Sequence, residues 1–115
     1  MHAEQIAQVA HAANQAYRQI TGEPSGPDWN FLEESKKESV VHGVEFVLKD
    51  PSVGAEEVHN EWVRYMVANG WRYGSRENAK TREHPNLRSW ESLLPEQKMK
   101  DKLFVAIVRS LQIVY

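Results

Sequence analysis

One stretch decides the fold of this chain: HNEWVRYMVANGWRYGSRENAKTREHP, which runs from His59 to Pro85. Apolar side chains recur through its first part at helical spacing, and Asn69-Gly70 then supplies a residue pair suited to a left-handed helix end. Trp71 and Tyr73 alternate with Arg72, and a short basic run follows. Aromatic rings beside cations just past a helix end are suited either to framing a pocket for a flat or anionic ligand or to closing a small core.

Composition narrows the class of protein. A chain of 115 residues fits one domain, and 14 Lys and Arg against 16 Asp and Glu give a net charge of −2. We therefore expect neither DNA nor a membrane surface as a partner. There is no cysteine, so a disulfide framework and a thiolate metal site are excluded. The N-terminus lacks the features of a signal peptide and no apolar run approaches the roughly 20 residues of a membrane span, which predicts a soluble, cytoplasmic protein.

Four helices are predicted from apolar periodicity. The first covers Ala3 to Ile20, the second begins at Pro27 and ends before Lys49, and the third runs from Val53 to Asn69 with Ser52 as its N-cap. The first is predicted to bury Ile6, Val9, Ala10, Ala13, Tyr17 and Ile20. The last follows Pro95 and is predicted to bury Met99, Leu103, Ala106, Ile107, Leu111 and Val114, leaving Lys100, Asp101 and Arg109 largely outside.

The segment from residue 70 to 94 is predicted to be a long loop, because glycines and prolines interrupt it and its polar residues follow no period. The sequence Trp71-Arg72-Tyr73 is predicted to be extended, with the region from Leu87 to Trp90 as its partner in a short β-hairpin. The predicted fold class is therefore mainly α: a compact bundle of about four helices with one long loop. A loop of this length in a small domain is usually functional or packed on itself.

Several short segments of the sequence resemble a known family. The segments HNEW, GWRYG, HPNL, LPEQ and KDKLF, in this order, are similar to the ryanodine receptor repeat, or RyR, domain. The segments AHAANQAY and SVVHGVEF resemble the helical extension of small stand-alone bacterial and phage members. The resemblance implies a single RyR-like domain over residues 1–115, with an N-terminal helical extension over 1–50 and the repeat motif over 53–115.

The resemblance implies little chemistry. In the large calcium-release channels these repeats are peripheral cytoplasmic modules, and the small stand-alone members mostly lack an assigned activity. The family is suspected of sensing nucleotides, so the resemblance implies a nucleotide-like ligand. Three positions depart from the common pattern: Ser75 stands where proline is common, Asn78 near an expected aspartate, and Asn86 where cysteine is frequent. The loop is therefore less acidic than usual, although asparagine keeps the ability to form a turn.

A ligand site is predicted between the motif helix and the loop from Trp71 to His84. Aromatic rings would stack on a base and cations would meet phosphates, which gives the candidate set Trp62, Trp71, Arg72, Tyr73, Lys80, Arg82 and His84. The opposing interpretation is structural. Trp62 lies on the same helical stripe as Val58 and Met66, which favours a core position, and basic loop residues are usually solvated.

Other functions have weaker signals. Four histidines, at positions 11, 42, 59 and 84, show no metal-ligand spacing, so we expect neither a metal nor another cofactor. No nucleophile elbow, P-loop or dinucleotide fingerprint is present, so we expect no enzyme, although an acid–base pair of Glu61 with His59 leaves a nucleotide hydrolase open. A further alternative is an assembly module that packs its C-terminal helix against a second copy or a host protein through Leu111, Ile113, Val114 and Tyr115.

Overall fold

The computed structural model describes residues 1–112 and shows a bundle of four helices. The helices are α1 (Ala3–Thr21), α2 (Glu34–Lys49), α3 (Ala55–Ala68) and α4 (Pro95–Gln112). Both α1 and α3 pack against α2 and α4, so the four helices enclose one core. The predicted fold class, mainly α with four helices and one long loop, is confirmed. No helix in the described part of the chain is long and apolar enough to cross a bilayer.

The inner face of α1 is narrower than its periodicity predicts. Ile6, Ala7 and Ala10 are buried, but Ile20 is 83% exposed and Val9 is 39% exposed, so the prediction that both are core residues is wrong. The helix ends at Thr21, and a left-handed Gly22 is its C-cap, as the Thr21-Gly22 pair predicts. After Ala10, the face of α1 that points into the bundle carries polar residues and lines a cavity.

The chain between α1 and α2 forms a separate turn. Trp29–Phe31 make one 3-10 turn, and α2 begins only at Glu34, so the predicted helix start at Pro27 is wrong. Leu32 and Glu33 are extended, with ψ near 145° and 147°, which breaks the helical path. The turn is anchored by Trp29, which is only 8% exposed and meets the ring of His11 edge-on at 6.0 Å.

Helix α3 is capped by a different residue from the one predicted. Ser52 donates from its amide and its hydroxyl to the Asp50 carboxylate, at 2.9 and 2.7 Å, and so stabilises the preceding turn. The N-cap is Gly54, whose N–H donates to Glu57 Oε1 at 2.8 Å. A glycine cannot cap with its own side chain, so the glutamate in the first turn satisfies the exposed donor.

The buried face of α4 is also rotated from the prediction. Val108 is fully buried, and Phe104 and Val105 pack against the core, whereas Met99 is 46% exposed. Ala106 is likewise exposed, contrary to expectation. This rotation turns Arg109 and Asp101, both predicted to face water, toward the protein.

The long loop folds back on α3. Gly70, with φ 86°, follows the helix, and β1 (Arg72–Tyr73) then pairs with β2 (Glu83–His84). The two strands run parallel, so the predicted β-hairpin with the region from Leu87 to Trp90 is wrong. A turn inside the loop makes this possible: the Asn78 side chain accepts hydrogen bonds from the amides of Lys80 and Thr81 and thus keeps the predicted turn. A second 3-10 turn, Trp90–Ser92, precedes α4.

Gly74 directly follows β1 and lies against Glu83 of β2, where there is no room for a larger side chain. A Cβ atom at this position would lie 2.5 Å from the Cβ of Glu83, so one strand must move. We expect Gly74→Ala to lower the free energy of unfolding by about 2 kcal/mol, measured by urea denaturation. Hydrogen exchange should also accelerate at the amides of Arg72 and Gly74, which bond to Arg82 and His84. Gly26→Ala is the control, because its nearest neighbour lies 4.0 Å away; equal midpoints for both variants would contradict the prediction.

Candidate functional site

The four helices line a cavity of about 190 Å³ that is partly open to solvent. Its apolar wall combines residues from every helix: Ala10, Val40, Phe46, Val58, Leu103 and Phe104. Two larger rings of α3, Trp62 and Tyr65, complete the lining one helical turn apart. Aromatic and aliphatic walls of this kind are typical of sites for small planar molecules.

Polar side chains also enter this cavity, and each helix contributes at least one. They are His11 and Asn14 of α1, Ser39 and His42 of α2, Glu61 of α3, and Lys100 and Asp101 of α4. On α1, Asn14 lies one helical turn after the buried Ala10 and His11 directly follows Ala10, and both residues line the cavity. His11 is fixed there because its Nε2 donates to the carbonyl oxygen of Pro27 at 2.9 Å.

Asp101 is the most unusual of these groups. Burial raises the pKa of its carboxyl from 3.8 to about 7. The nearest basic atom, Nδ1 of His59, lies 3.7 Å away, which exceeds hydrogen-bond distance. Within residues 1–112, no group donates a hydrogen bond to this carboxyl. The side chains of Asn14 and Ser39 are likewise without a hydrogen-bond partner in the described chain. Polar groups left unpaired in a cavity are suited to receiving a ligand.

The remaining charges of the cavity have partners. His42 Nε2 lies 2.7 Å from Glu61, and its ring stacks on Tyr65 with centroids 4.6 Å apart. The ammonium of Lys100 lies 2.9 Å from Glu23. The described lining therefore presents no unpaired cation. On the other side of His42 and Tyr65 lies a second cleft of about 360 Å³, whose charged residues are Glu4, Glu34, Glu38, Glu45 and Lys37.

Two of the seven predicted site residues come together beside the cavity. Trp62 lines it, and His84 meets the Trp62 ring edge-on at 4.9 Å. Burial lowers the pKa of His84 to about 4. Its Nδ1 accepts the N–H of Asn86 at 3.0 Å, so the ring stabilises the loop while it covers Trp62.

The other five predicted residues are not among those that line the cavity. Arg82, in the left-handed region with φ 56°, donates to the carbonyl oxygen of Asn69 at 2.6 Å and caps the end of α3. Arg72 lies 3.8 Å from the Glu83 carboxylate. Tyr73 is 56% exposed, Lys80 is exposed and Trp71 is half-buried. They remain a candidate surface on the loop, separate from the cavity.

Most of the cavity residues were not predicted from the sequence as ligand candidates, namely His11, Asn14, His42, Tyr65 and Asp101. A signal was present on α1. His11 and Asn14 lie three residues apart beside the buried Ala10, a position where a polar side chain faces inward. Asp101 gave no such signal, because the helix stripe predicted for α4 placed it outside.

The geometry also bears on the other functions considered. Glu61 contacts His42, whereas His59 is 2% exposed and its Nε2 donates to the carbonyl oxygen of Arg88, so these two residues do not form the suggested acid–base pair. Residues 1–112 contain no group of three potential ligands placed to hold a metal ion. Leu111 packs against the core, and Ile113, Val114 and Tyr115, the remaining part of the suggested interaction surface, lie outside the described residues.

Comparison with known proteins assigns the family. A search of curated proteins gives no match. The model of the RyR domain family matches residues 52–114, which is more than half of the chain. The matched segment contains α3, the long loop and α4. This chain therefore belongs to the RyR domain family.

Proposed function

We propose that this protein is a non-enzymatic module that binds or senses a small nucleotide-like ligand, and that the planar base of the ligand enters the cavity between the four helices. One observation carries the proposal: the unpaired Asp101 carboxyl faces a cavity walled by Trp62 and Tyr65. The Asp101 side chain is 23% exposed and accepts no hydrogen bond from the described residues, so ligand donors can take the place of solvent there, and aromatic walls favour a flat ring. We place the module in the cytoplasm, where the related repeats of the calcium-release channels lie.

The size of the cavity supports a single ring system. Its volume of about 190 Å³ is below the roughly 300–1,000 Å³ of sites that enclose a drug-sized molecule. A nucleobase is of the right order, and a complete nucleotide would extend outside. With only one ring system enclosed, we expect a dissociation constant on the order of 10–100 μM.

The proposal differs in place from a site on the loop. In the cavity Trp62 is a wall residue, whereas Trp71, Tyr73 and Lys80 lie outside it. A ligand held by the loop would instead depend on these exposed side chains. Variants at the two places separate the alternatives.

Calorimetric titration with nucleobases, nucleosides and nucleotides tests the proposal. We expect saturable binding by at least one ring compound, and we expect Asn14→Leu to weaken it tenfold or more because the variant removes an unpaired amide and narrows the cavity. The control is Tyr73→Ala, whose exposed ring does not line the cavity and whose loss should change affinity less than twofold. Thermal denaturation shows whether each variant is folded.

Two results would contradict the proposal. The first is the absence of binding across the whole panel. The second is binding that Tyr73→Ala abolishes and Asn14→Leu leaves unchanged, since this would move the site to the loop. Product formation from a nucleotide by the pure protein would instead favour a hydrolase.

A further inference from the structure

We propose that the cavity selects a ring carrying an N–H beside an exocyclic amino group, the 2-amino-4-oxopyrimidine edge shared by guanine and pterins, and that the Asp101 carboxylate accepts both donors. This inference rests on the proposed function and names the ligand class for the same cavity. It further assigns the affinity to the ring rather than to a phosphate.

The chemistry of the Asp101 side chain favours such an edge. A carboxylate offers two coplanar oxygens, which match two parallel N–H donors at the edge of a ring, as they match the fork of an arginine. In this protein both oxygens are available, since the closest basic atom, His59 Nδ1, stands 3.7 Å from Oδ2 and no described residue donates to the carboxyl. The neighbouring Lys100 is occupied by Glu23. A planar donor pair is therefore the group that this carboxyl lacks.

The shape and polarity of the walls are consistent with such a ring. Trp62, Tyr65 and Phe104 supply ring faces and edges around the cavity, which suit an aromatic ligand. Asn14 and Ser39 have donors and acceptors without partners in the described chain, and these can serve the ring oxygen and nitrogens of the same ligand. Adenine presents an acceptor nitrogen beside its amino group and cannot offer the donor pair to a carboxylate.

The charges around the cavity bear on the phosphate of a nucleotide. Because Lys100 and His42 are each paired with a glutamate, the described lining leaves no cation for a phosphate. The adjoining cleft carries four glutamates and one lysine, and that lysine lies over the ring of Trp29. A phosphate that extends from the cavity into this cleft would lie in the negative potential of the glutamates, so we expect it to add no affinity.

Ionisation of the carboxyl gives an independent readout. Burial sets the pKa of Asp101 near 7, and ring N–H donors favour its charged form. The titratable groups near it are His59 of α3, Lys100 of α4, and the cavity residues His11, His42 and Glu61. We expect affinity for the donor-pair ring to increase as pH rises from 6 to 8, and this increase should disappear in Asp101→Asn.

The decisive comparison is between guanosine and inosine, which differ only in the 2-amino group. We expect guanosine to bind the wild-type protein at least tenfold more tightly than inosine, because inosine leaves one carboxylate oxygen unpaired. Adenosine should bind more weakly than guanosine by a similar factor. Asp101→Asn should reduce the guanosine preference below threefold, and Asp28→Asn, the same change at an exposed aspartate, should retain it. Because the inosine comparison uses the wild-type protein, it does not depend on the folding of any variant.

Further arms identify the source of the ring and test the role of phosphate. A pterin that binds as tightly as guanosine, or more tightly, supports the donor-pair edge and names the pterin as its source. Equal affinities for guanosine, inosine and adenosine would overturn the inference while leaving the proposed function intact. A guanosine monophosphate that binds more than tenfold more tightly than guanosine would overturn the assignment of affinity to the ring. No binding by any of these compounds would instead remove the proposed function itself.

Discussion

Arg109→Ala should lower the free energy of unfolding by about 3 kcal/mol, which corresponds to a fall of roughly 10 °C in melting temperature. The guanidinium of Arg109 donates to the carbonyl oxygens of Val47, Asp50 and Val53, at 3.0, 2.8 and 3.1 Å. These oxygens belong to the end of α2 and the connection to α3, beyond the regular hydrogen bonds of the helix, and the Asp50 oxygen also accepts the Val53 N–H at 3.2 Å. Alanine leaves all three without this donor, and it separates α4 from the connection.

Arg109→Lys is the matched variant for this experiment. Lysine keeps the positive charge near the end of α2 but cannot reproduce a planar fork that reaches three oxygens. We therefore expect a loss between those of wild type and alanine, measured by urea denaturation with unchanged m-values. A loss below about 0.5 kcal/mol for Arg109→Ala would show that the arginine is a surface residue after all.

The second large effect is a pair of opposed pH dependences. Asp101 has a pKa of about 7 in the folded protein and 3.8 ordinarily, so between pH 4 and 7 the native state holds a proton that the unfolded state lacks. Stability therefore falls as pH rises through this range. His84 has a pKa of about 4 in the folded protein and 6.5 ordinarily, so the unfolded state holds the extra proton and stability rises between pH 4 and 6.5. The two slopes nearly cancel, with full amplitudes of roughly 3–4 kcal/mol each.

Single substitutions should separate the two slopes. In Asp101→Asn the contribution of Asp101 is removed, so the gain in stability over wild type should grow by about 3 kcal/mol between pH 4 and 7.5. In His84→Asn, where the amide oxygen can still accept the Asn86 N–H, stability relative to wild type should decline over pH 4 to 6.5. Chemical denaturation at a series of pH values measures both differences. Parallel pH profiles for all three proteins would contradict this account.

Helix content was predictable because apolar periodicity and helix-ending residues are local. Gly22 and Gly70 mark real helix ends with left-handed backbone, and proline begins α4. Errors arose where a distant contact decides the local structure. Trp29 forms a separate turn because it packs against α1, and β1 pairs in parallel with β2 across a nine-residue return that no short-range signal encodes.

The site was less predictable than the fold, and the reason is physical. The rule that located the helices assigns polar side chains to the solvent-facing side, so Asp101 and Asn14 were predicted to face water. A polar cavity reverses this rule at a few positions, because there the inward side chain is left for a ligand or a network. Trp62, one of the predicted site residues, lines the cavity, although its membership of an apolar stripe also favoured a core position.

The position of the cavity also bears on which members of the family could share the proposed ligand site. Its walls are divided between α1 and α2, which precede the segment matched by the family model, and α3 and α4, which lie within it. The segment matched by the family model therefore supplies about half of the cavity walls, and the preceding helices supply the rest. A ligand bound in the cavity would contact both helix pairs, so its binding would stabilise their packing against each other. Relatives that carry the family motif next to different N-terminal helices would have a different cavity. A shared sequence motif alone would then not imply a shared ligand.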